Sequence, residues 1–127
     1  MSIERVSLSF HAMGDAYFPR RVSFSWTQAD DPGTIGERGR YRGIPTPYGS
    51  SSYEVPDEIP IQDRIAHLHK MIVPLLPKIS EAGATRTWVS AGYFYDSQCN
   101  LSFSLEELGM LRDFNTHFDV SCYGDND

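Results

Sequence analysis

Cysteine and long apolar runs are scarce in this sequence, and each shortage excludes a class of protein. The 127 residues include only two cysteines, Cys99 and Cys122, which lie far apart and outside any closely spaced pair of metal-ligating residues. A disulfide framework or a structural zinc site is therefore not expected, and we interpret both side chains as reduced thiols, with a disulfide as the alternative. No run of about 18 apolar residues could span a membrane, and the N-terminus lacks the basic-then-apolar layout of a signal peptide. We expect a cytoplasmic protein without a membrane segment.

Basic residues are nearly absent from the last quarter of the chain. Residues 94–127 hold seven Asp and Glu against one basic residue, Arg112, whereas the ten acids and ten bases of residues 1–93 cancel. The net charge of −6 therefore comes from the last quarter. Such a negative field repels nucleic acid and steers basic partners toward the protein. We predict that Glu106, Glu107 and Asp113 contact a protein partner with a basic surface; the alternative is an acidic face that only aids solubility.

Alternating apolar and polar residues predict most of the strands. Residues 5–13 and 21–27 share a Val-Ser-apolar-Ser pattern, which is typical of neighbouring strands with one buried and one wet face. Residues 85–95 are apolar on both faces, as in a central strand, and residues 117–123 alternate again. A further short strand is predicted at residues 51–55.

Two segments have helical spacing. Residues 60–82 carry one broad apolar stripe, but two internal prolines remove backbone donors, so we expect a kink or a break near Val73. The second helix begins at Ser104, which is predicted to form a capping box with Glu107. Its predicted buried stripe contains Leu108, Leu111 and Phe114.

The order of these elements predicts a single α+β domain over residues 1–127. We expect two layers, with a mostly antiparallel sheet of about five strands and two helices on one of its faces. The opposite face of the sheet is then wet, or it is covered by the long loop or by a partner.

A loop rich in glycine and proline occupies about residues 28–50. It contains five glycines and three prolines, and its apolar residues follow no period. Loops longer than about 12–15 residues in a compact domain are usually functional or disordered. Because Tyr and Arg anchor many protein interfaces, we predict a recognition loop, with a plain solvated loop as the alternative. The candidate contact residues in this loop and directly after it are Arg38, Arg40, Tyr41, Arg42, Tyr48 and Tyr53.

The residues that could carry out chemistry do not form a recognisable site in the sequence. His67 and His69 would lie about 200° apart around a helix, so they could not hold one metal ion. Cys99 has no adjacent base, and neither a nucleophile elbow nor a Walker-type phosphate loop is present. The basic island around Arg38 could stack bases, but the net charge of −6 disfavours nucleic acid. We predict no catalytic residue, no metal site and no cofactor.

The second half of the chain resembles a bacterial family described as domain of unknown function 4279. The resemblance lies in "IPIQDRIAHLHKMIVPLLPKISEAGA" and in "WVSAGYFYDSQCNLSFSLEELGMLRDFNTHFDVSCYG". It consists of a Leu-rich helix with an internal proline, an aromatic strand, a serine-capped helix and a last strand ending near Tyr123. It implies a small bacterial cytosolic binding domain without assigned catalytic residues, and some relatives look like immunity proteins that accompany toxins.

We therefore expect a non-enzymatic protein-binding domain whose acidic end meets a basic surface, with a toxin as the partner that the resemblance implies. The alternative is a small-ligand domain or an enzyme with a pocket between the long loop and the sheet, lined by Trp26, Tyr53, Trp88 and Tyr93. A homodimer formed through the exposed sheet face is a third alternative. A deep pocket with convergent polar groups would favour a ligand, and a flat wet sheet face would favour a protein partner.

Overall fold

A five-stranded sheet is the main element of the fold. The computed structural model describes residues 3–124, apart from the side chain of Glu4. The strands are β1 (Ile3–Gly14), β2 (Gln28–Asp30), β3 (Gly49–Glu54), β4 (Arg86–Tyr95) and β5 (Phe118–Gly124). They lie in the order β2-β3-β1-β4-β5, and β5 runs parallel to β4. The sheet is mostly antiparallel, and the predicted α+β class is confirmed.

The helical segments are α1 (Arg64–Ile72), α2 (Leu76–Glu81) and α3 (Leu105–Asp113). A short 3-10 turn, Val73–Leu75, separates α1 from α2, so the predicted break near Val73 is confirmed. Prolines at positions 74 and 77 explain the break, because neither can donate a backbone hydrogen bond to the preceding turn.

The chain forms two compact units that differ in charge. The first unit takes in the residues up to Phe10, Glu54–Pro74 and the residues from Trp88 onward; the second consists of His11–Tyr53 and Leu75–Thr87. Over the described residues, the first unit has ten acids and four bases, and the second has five acids and seven bases. Their net charges are therefore −6 and +2. Asp125 and Asp127, which belong to the predicted acidic quarter, lie outside the described residues.

In the first unit, α1 and α3 contact each other and cover one face of the sheet. Val6, Leu8 and Phe10 alternate along β1 toward this face and are buried, and the Phe10 ring lies 6.1 Å from that of Phe114. Burying each such side chain contributes about 1.5–3 kcal/mol to folding. The same layer contains the buried residues Ile65, Leu68, Ile72, Val89 and Ala91.

The opposite sheet face of the first unit carries small polar side chains. The hydroxyl oxygens of Ser9 and Ser90 lie 3.1 Å apart, and the Ser7 hydroxyl donates to the Glu54 carboxylate at 3.0 Å. Phe94 and Tyr123 stack on this face with ring centroids 4.9 Å apart. In the first unit this face is therefore polar and open to solvent, which is one of the three arrangements that the sequence left open for it.

The second unit is organised around the buried Tyr17. Its hydroxyl lies 2.7 Å from that of Ser51, which satisfies both polar groups inside the unit. Gly83 ends α2 with a φ of 108°, and its N–H donates to the Ser80 carbonyl at 3.0 Å, so a glycine in the left-handed conformation caps this helix. A side chain at Gly83 would collide with the backbone of Ala16, which gives a second reason for glycine here.

The predicted strand at residues 21–27 is wrong. The structure has a 3-10 turn at Pro19–Arg21, an irregular segment, and then the short strand β2 from Gln28. The alternation reflects side-chain packing rather than a strand ladder: Phe24 makes edge-to-face contacts with Trp26 and with Tyr53 at 4.8 and 5.2 Å. The pattern therefore predicted which side chains lie on the same side of the segment, but not whether its backbone pairs with a neighbouring strand.

Candidate functional site

The long loop of the second unit is folded on itself. Gly33 N–H donates to the Thr46 carbonyl at 2.8 Å, and Thr46 N–H donates to the Thr34 carbonyl at 2.9 Å. Further along, Gly36 N–H donates to the Ile44 carbonyl at 3.0 Å. These bonds form a short ladder that ends in a 3-10 turn at Gly39–Tyr41. The loop therefore has a defined internal structure.

The tip of this loop brings together most of the residues predicted there. Arg38, Arg40 and Arg42 are exposed, and the Arg40 guanidinium lies 5.8 Å from the centre of the Tyr41 ring. The Tyr41 and Tyr48 rings meet edge to face at 5.9 Å. This contact holds the two rings together while both tyrosines remain partly exposed.

Tyr53 does not join the loop tip. Its ring packs against that of Phe24, which also contacts Trp26, so these three residues form an aromatic cluster. The burial of its hydroxyl raises the pKa of Tyr53. Tyr53 is therefore a packing residue of the second unit rather than a member of the predicted contact set.

A polar cleft of about 790 Å³ lies between the folded loop and the strands of the second unit. Gln28 Nε2 donates to the Asp30 carboxylate at 2.7 Å and to the Ser50 hydroxyl at 3.1 Å, so these groups are already engaged. The Thr46 hydroxyl is buried and has no hydrogen-bond partner among residues 3–124. Burial lowers the pKa of His11, which keeps its imidazole neutral near pH 7. The loop contributes Thr34, Arg38, Tyr41, Thr46 and Tyr48 to the lining.

This cleft has the predicted position but not the predicted lining. None of the four aromatic residues expected around a pocket contributes to it. Trp26 and Tyr53 belong to the aromatic cluster of the second unit, while Trp88 and Tyr93 belong to the first unit. The prediction failed because the large rings of the second unit pack against one another.

The first unit contains a separate groove of about 300 Å³. Its floor is apolar, formed by Val6, Leu8 and Ile65, and Leu101 and Phe103 line it from the segment that precedes α3. Its polar lining consists of Gln62, Arg64, Tyr93, Asn100, Ser102 and Glu107. The groove thus combines an apolar base with a few polar groups.

Arg64 connects three segments of the first unit beneath this groove. Its buried guanidinium donates to the carbonyl of Ile59 at 2.8 Å, to that of Asp57 at 2.9 Å, and to that of Val6. In the described part of the chain, its partners are these carbonyl oxygens rather than a carboxylate. Arg64 therefore joins β1 to the segment before α1 and adds positive charge below an acidic surface.

Glu107 has a structural role in addition to its place in the groove. Its carboxylate accepts a hydrogen bond from the Ser104 N–H at 2.9 Å, and the Ser104 hydroxyl accepts one from the Glu107 N–H at 3.0 Å, which confirms the predicted capping box.

Tyr93, which also lines the groove, has a raised pKa. Burial raises this pKa, and the charges of Glu107, Cys99 and Cys122 raise it further. Tyr93 is therefore a protonated hydroxyl donor at neutral pH.

The other two predicted acidic contacts differ from each other. Glu106 is exposed on α3. The Asp113 carboxylate accepts a hydrogen bond from His69 Nε2 at 2.9 Å and lies 3.8 Å from Arg112. Of the three acids, Glu106 is therefore the one whose carboxylate is most available to a partner.

Sequence reasoning missed a set of exposed leucines at and just before the start of α3. Leu105 is 89% exposed and Leu108 50% exposed, and Leu101 is exposed as well. We call Leu101, Leu105 and Leu108 the leucine patch. The prediction that Leu108 is buried is wrong, because Glu107 occupies that phase of α3 together with Leu111 and Phe114. The sequence signal that could have revealed these exposed leucines is Leu105, because it lies on the opposite side of the helix from any buried stripe that contains Phe114.

The described residues give no sign of a metal site or of a membrane span. Within residues 3–124, no three His, Cys, Asp or Glu side chains are grouped so that they could hold a metal ion. In the same part of the chain, no helix has the length and apolar character needed to cross a bilayer. No protein-family model matches the sequence, and neither a curated protein nor a solved structure is significantly similar to it.

Proposed function

We propose that this protein is a non-enzymatic binding protein whose first unit receives a basic, partly apolar segment of another protein. The observation that carries the proposal is the leucine patch, in a unit that also contains an apolar groove and has a net charge of −6. Exposed apolar residues that lie close together are typical of protein interaction sites, and Leu105 and Leu108 are three residues apart on one helix.

The charge and the apolar groups have different roles in this proposal. The excess of carboxylates accelerates the approach of a basic partner, and salt screens that effect. Affinity comes from burying the leucine side chains and filling the groove, because exposed ion pairs contribute little. Tyr93 and Asn100 supply hydrogen-bonding groups that fix the orientation of the bound segment.

The loop of the second unit supplies a second proposed contact set. Arg38, Arg40, Tyr41, Arg42 and Tyr48 lie at or near its tip, and the ladder of hydrogen bonds holds them in place. A preorganised loop loses less conformational entropy on binding than a disordered one. We leave Tyr53 out of this set because it packs in the aromatic cluster.

The class of partner rests on the resemblance to domain of unknown function 4279. That resemblance supports a cytosolic bacterial protein, and a toxin is the partner that immunity-like relatives suggest. A basic protein, such as one that acts on an anionic substrate, has the charge that the first unit would attract.

The proposal can be tested by affinity capture with paired variants. L105S/L108S removes two leucines of the patch, and V120S is the control, since Val120 is an exposed apolar residue of the same unit that lies on β5, outside the proposed contact sets. We expect one protein to be retained by the wild type and by V120S, and to bind L105S/L108S at least about tenfold more weakly. Equal retention by both variants would show that the leucine patch is not the binding surface.

The second candidate function is the binding of a small polar molecule in the cleft of the second unit. The buried Thr46 hydroxyl favours it, because an unsatisfied polar group is costly and a ligand could satisfy it. Chemical shifts of Thr46 and Gln28 that respond to a panel of polar metabolites would support this candidate. Shifts that stay unchanged across the panel would leave the binding protein as the better explanation.

A further inference from the structure

The two cysteines of this chain meet in the first unit. Cys99 Sγ donates a hydrogen bond to Cys122 Sγ at 3.1 Å, although 22 residues separate them in the sequence. Both are free thiols, and Cys122 is exposed while Cys99 is half-buried. A pair of thiols in contact needs little movement to form a disulfide.

The contact follows from the parallel pairing of β4 and β5. Cys122 is in register with Tyr93 on β4, and the chain reaches Cys99 six residues after Tyr93. The segment around Cys99 then continues into Asn100–Phe103, which lines the groove. The thiol pair therefore joins the groove segment to β5.

We propose that Cys99 and Cys122 are a site of reversible oxidation, at which a low-molecular-weight disulfide converts the two thiols into one intramolecular disulfide. In a reducing compartment such a bond is transient and regulatory rather than structural. Its formation restrains the segment from Asp96 to Ser104 against β5.

The reaction is a pair of thiol–disulfide exchanges. The exposed Cys122 thiolate attacks one sulfur of oxidised glutathione, which forms a mixed disulfide and releases one glutathione thiolate. Cys99, as its thiolate, then attacks the Cys122 sulfur, forms the protein disulfide and releases the second glutathione thiolate. The two protein thiol protons leave with the two glutathione molecules, so the protein is oxidised by two electrons and oxidised glutathione is reduced by two.

The order of attack follows from the geometry. Cys122 is the more exposed of the two residues, so its sulfur is the one that oxidised glutathione reaches first. The hydrogen bond to Cys122 is the first reason why the pKa of Cys99 is raised, and burial and the charge of Cys122 add to it. Cys99 is therefore the resolving thiol.

The test is incubation of the full chain with oxidised glutathione, followed by intact mass measurement and peptide mapping without reduction. We expect the loss of two hydrogens, a linked peptide that contains Cys99 and Cys122, and no retained glutathione. C99S should keep one glutathione on Cys122, because the resolving thiol is missing, and C122S should react at least about tenfold more slowly. Glutathione that persists on the wild-type protein, or linkage only between two chains, would overturn the proposal.

A second measurement tests the restraint without requiring any variant to fold. Hydrogen exchange of the amides from Ser97 to Phe103 should slow at least about tenfold in the oxidised protein, and reduction should restore the original rate. Exchange of β2 amides in the second unit is the internal control and should not change. Equal exchange rates in the two redox forms at Ser97–Phe103 would contradict the proposed restraint.

Discussion

The Asp113 carboxylate on α3 accepts a hydrogen bond from His69 Nε2 on α1 at 2.9 Å, which ties the two helices of the first unit together. Asp113 was predicted to contact a partner, yet it is already engaged within the fold. The His69 ring also lies edge to face with Phe114 at 6.2 Å, so the pair sits directly over the core. Some carboxylates of the acidic surface therefore have structural roles. Variants of Asp113 test stability, whereas variants of the exposed Glu106 test binding.

The first prediction concerns this helix-to-helix pair. A double-mutant cycle of H69A and D113A should give a coupling free energy of about 0.5–1 kcal/mol, since both side chains are only partly exposed. The measurement is urea unfolding at neutral pH. The matched control is the pair His117 and Asp119, which is more exposed and should give a smaller coupling. A larger coupling for the control pair would contradict this account of the α1–α3 contact.

The second prediction concerns the buried Arg64. R64M should destabilise the protein by about 2–3 kcal/mol, because three carbonyl oxygens, that of Val6 in a buried position, lose a charged donor. R64K should recover little of this loss, since an ammonium group cannot reach three carbonyls in the plane of a guanidinium. Urea unfolding measures both variants, and the exposed R112K serves as the control. Stability of R64K equal to that of the wild type would show that charge alone is sufficient at this position.

The third prediction concerns the N-terminus of α3. S104A should cost about 1 kcal/mol of unfolding free energy, because the Ser104 hydroxyl accepts the Glu107 N–H. The neighbouring exposed serine offers the control S102A, which should change stability by less than about 0.5 kcal/mol. Denaturant unfolding curves of the two variants provide the comparison. Indistinguishable curves would mean that the capping box does not stabilise this helix.

The fourth prediction concerns pH. Burial lowers the pKa of His11 from its ordinary value of 6.5, so the unfolded state binds a proton more readily than the folded state. The contribution of neutral His11 to the free energy of unfolding is fully present above about pH 7, and it is lost as the pH falls below 6.5. H11Q should therefore show a shallower loss of unfolding free energy between pH 7 and pH 5. Parallel stability profiles for H11Q and the wild type would contradict this assignment.

The fifth prediction concerns charge steering. E106K should slow association with the captured partner and flatten the dependence of the association rate on salt, while the dissociation rate changes less. D15K is the control, because Asp15 is an exposed acid of the second unit. Stopped-flow association at two salt concentrations supplies the measurement. If E106K and D15K associate at the same rate, the acidic surface of the first unit does not steer the partner.

The features of the fold that were predicted correctly are those that depend on residues close together in the sequence. The break near Val73 follows from two prolines, and the capping box follows from Ser104 and Glu107, because both effects act within one or two turns. The strand at residues 21–27 failed for the opposite reason. Alternation of apolar and polar residues indicates which side chains lie on the same side of a segment. Whether its backbone pairs as a strand depends instead on a neighbouring strand that is far away in the sequence.

The candidate site was less predictable than the fold. The phase of α3 was misassigned because a charged residue, Glu107, shares the less exposed side of the helix with Leu111 and Phe114, and so the exposure of Leu105 and Leu108 was missed. The contact between Cys99 and Cys122 depends on the parallel register of β4 and β5, which no local pattern encodes. The loop was recognised from its composition, but its ladder of hydrogen bonds was not.

The most direct measurement of the central claim is a hydrogen-exchange footprint of the protein with and without its captured partner. If the first unit is the binding surface, the partner should protect amides from Asn100 to Leu108 and at the start of α1 around Ile65. Protection confined to the loop of the second unit, with unchanged exchange from Asn100 to Leu108, would contradict it.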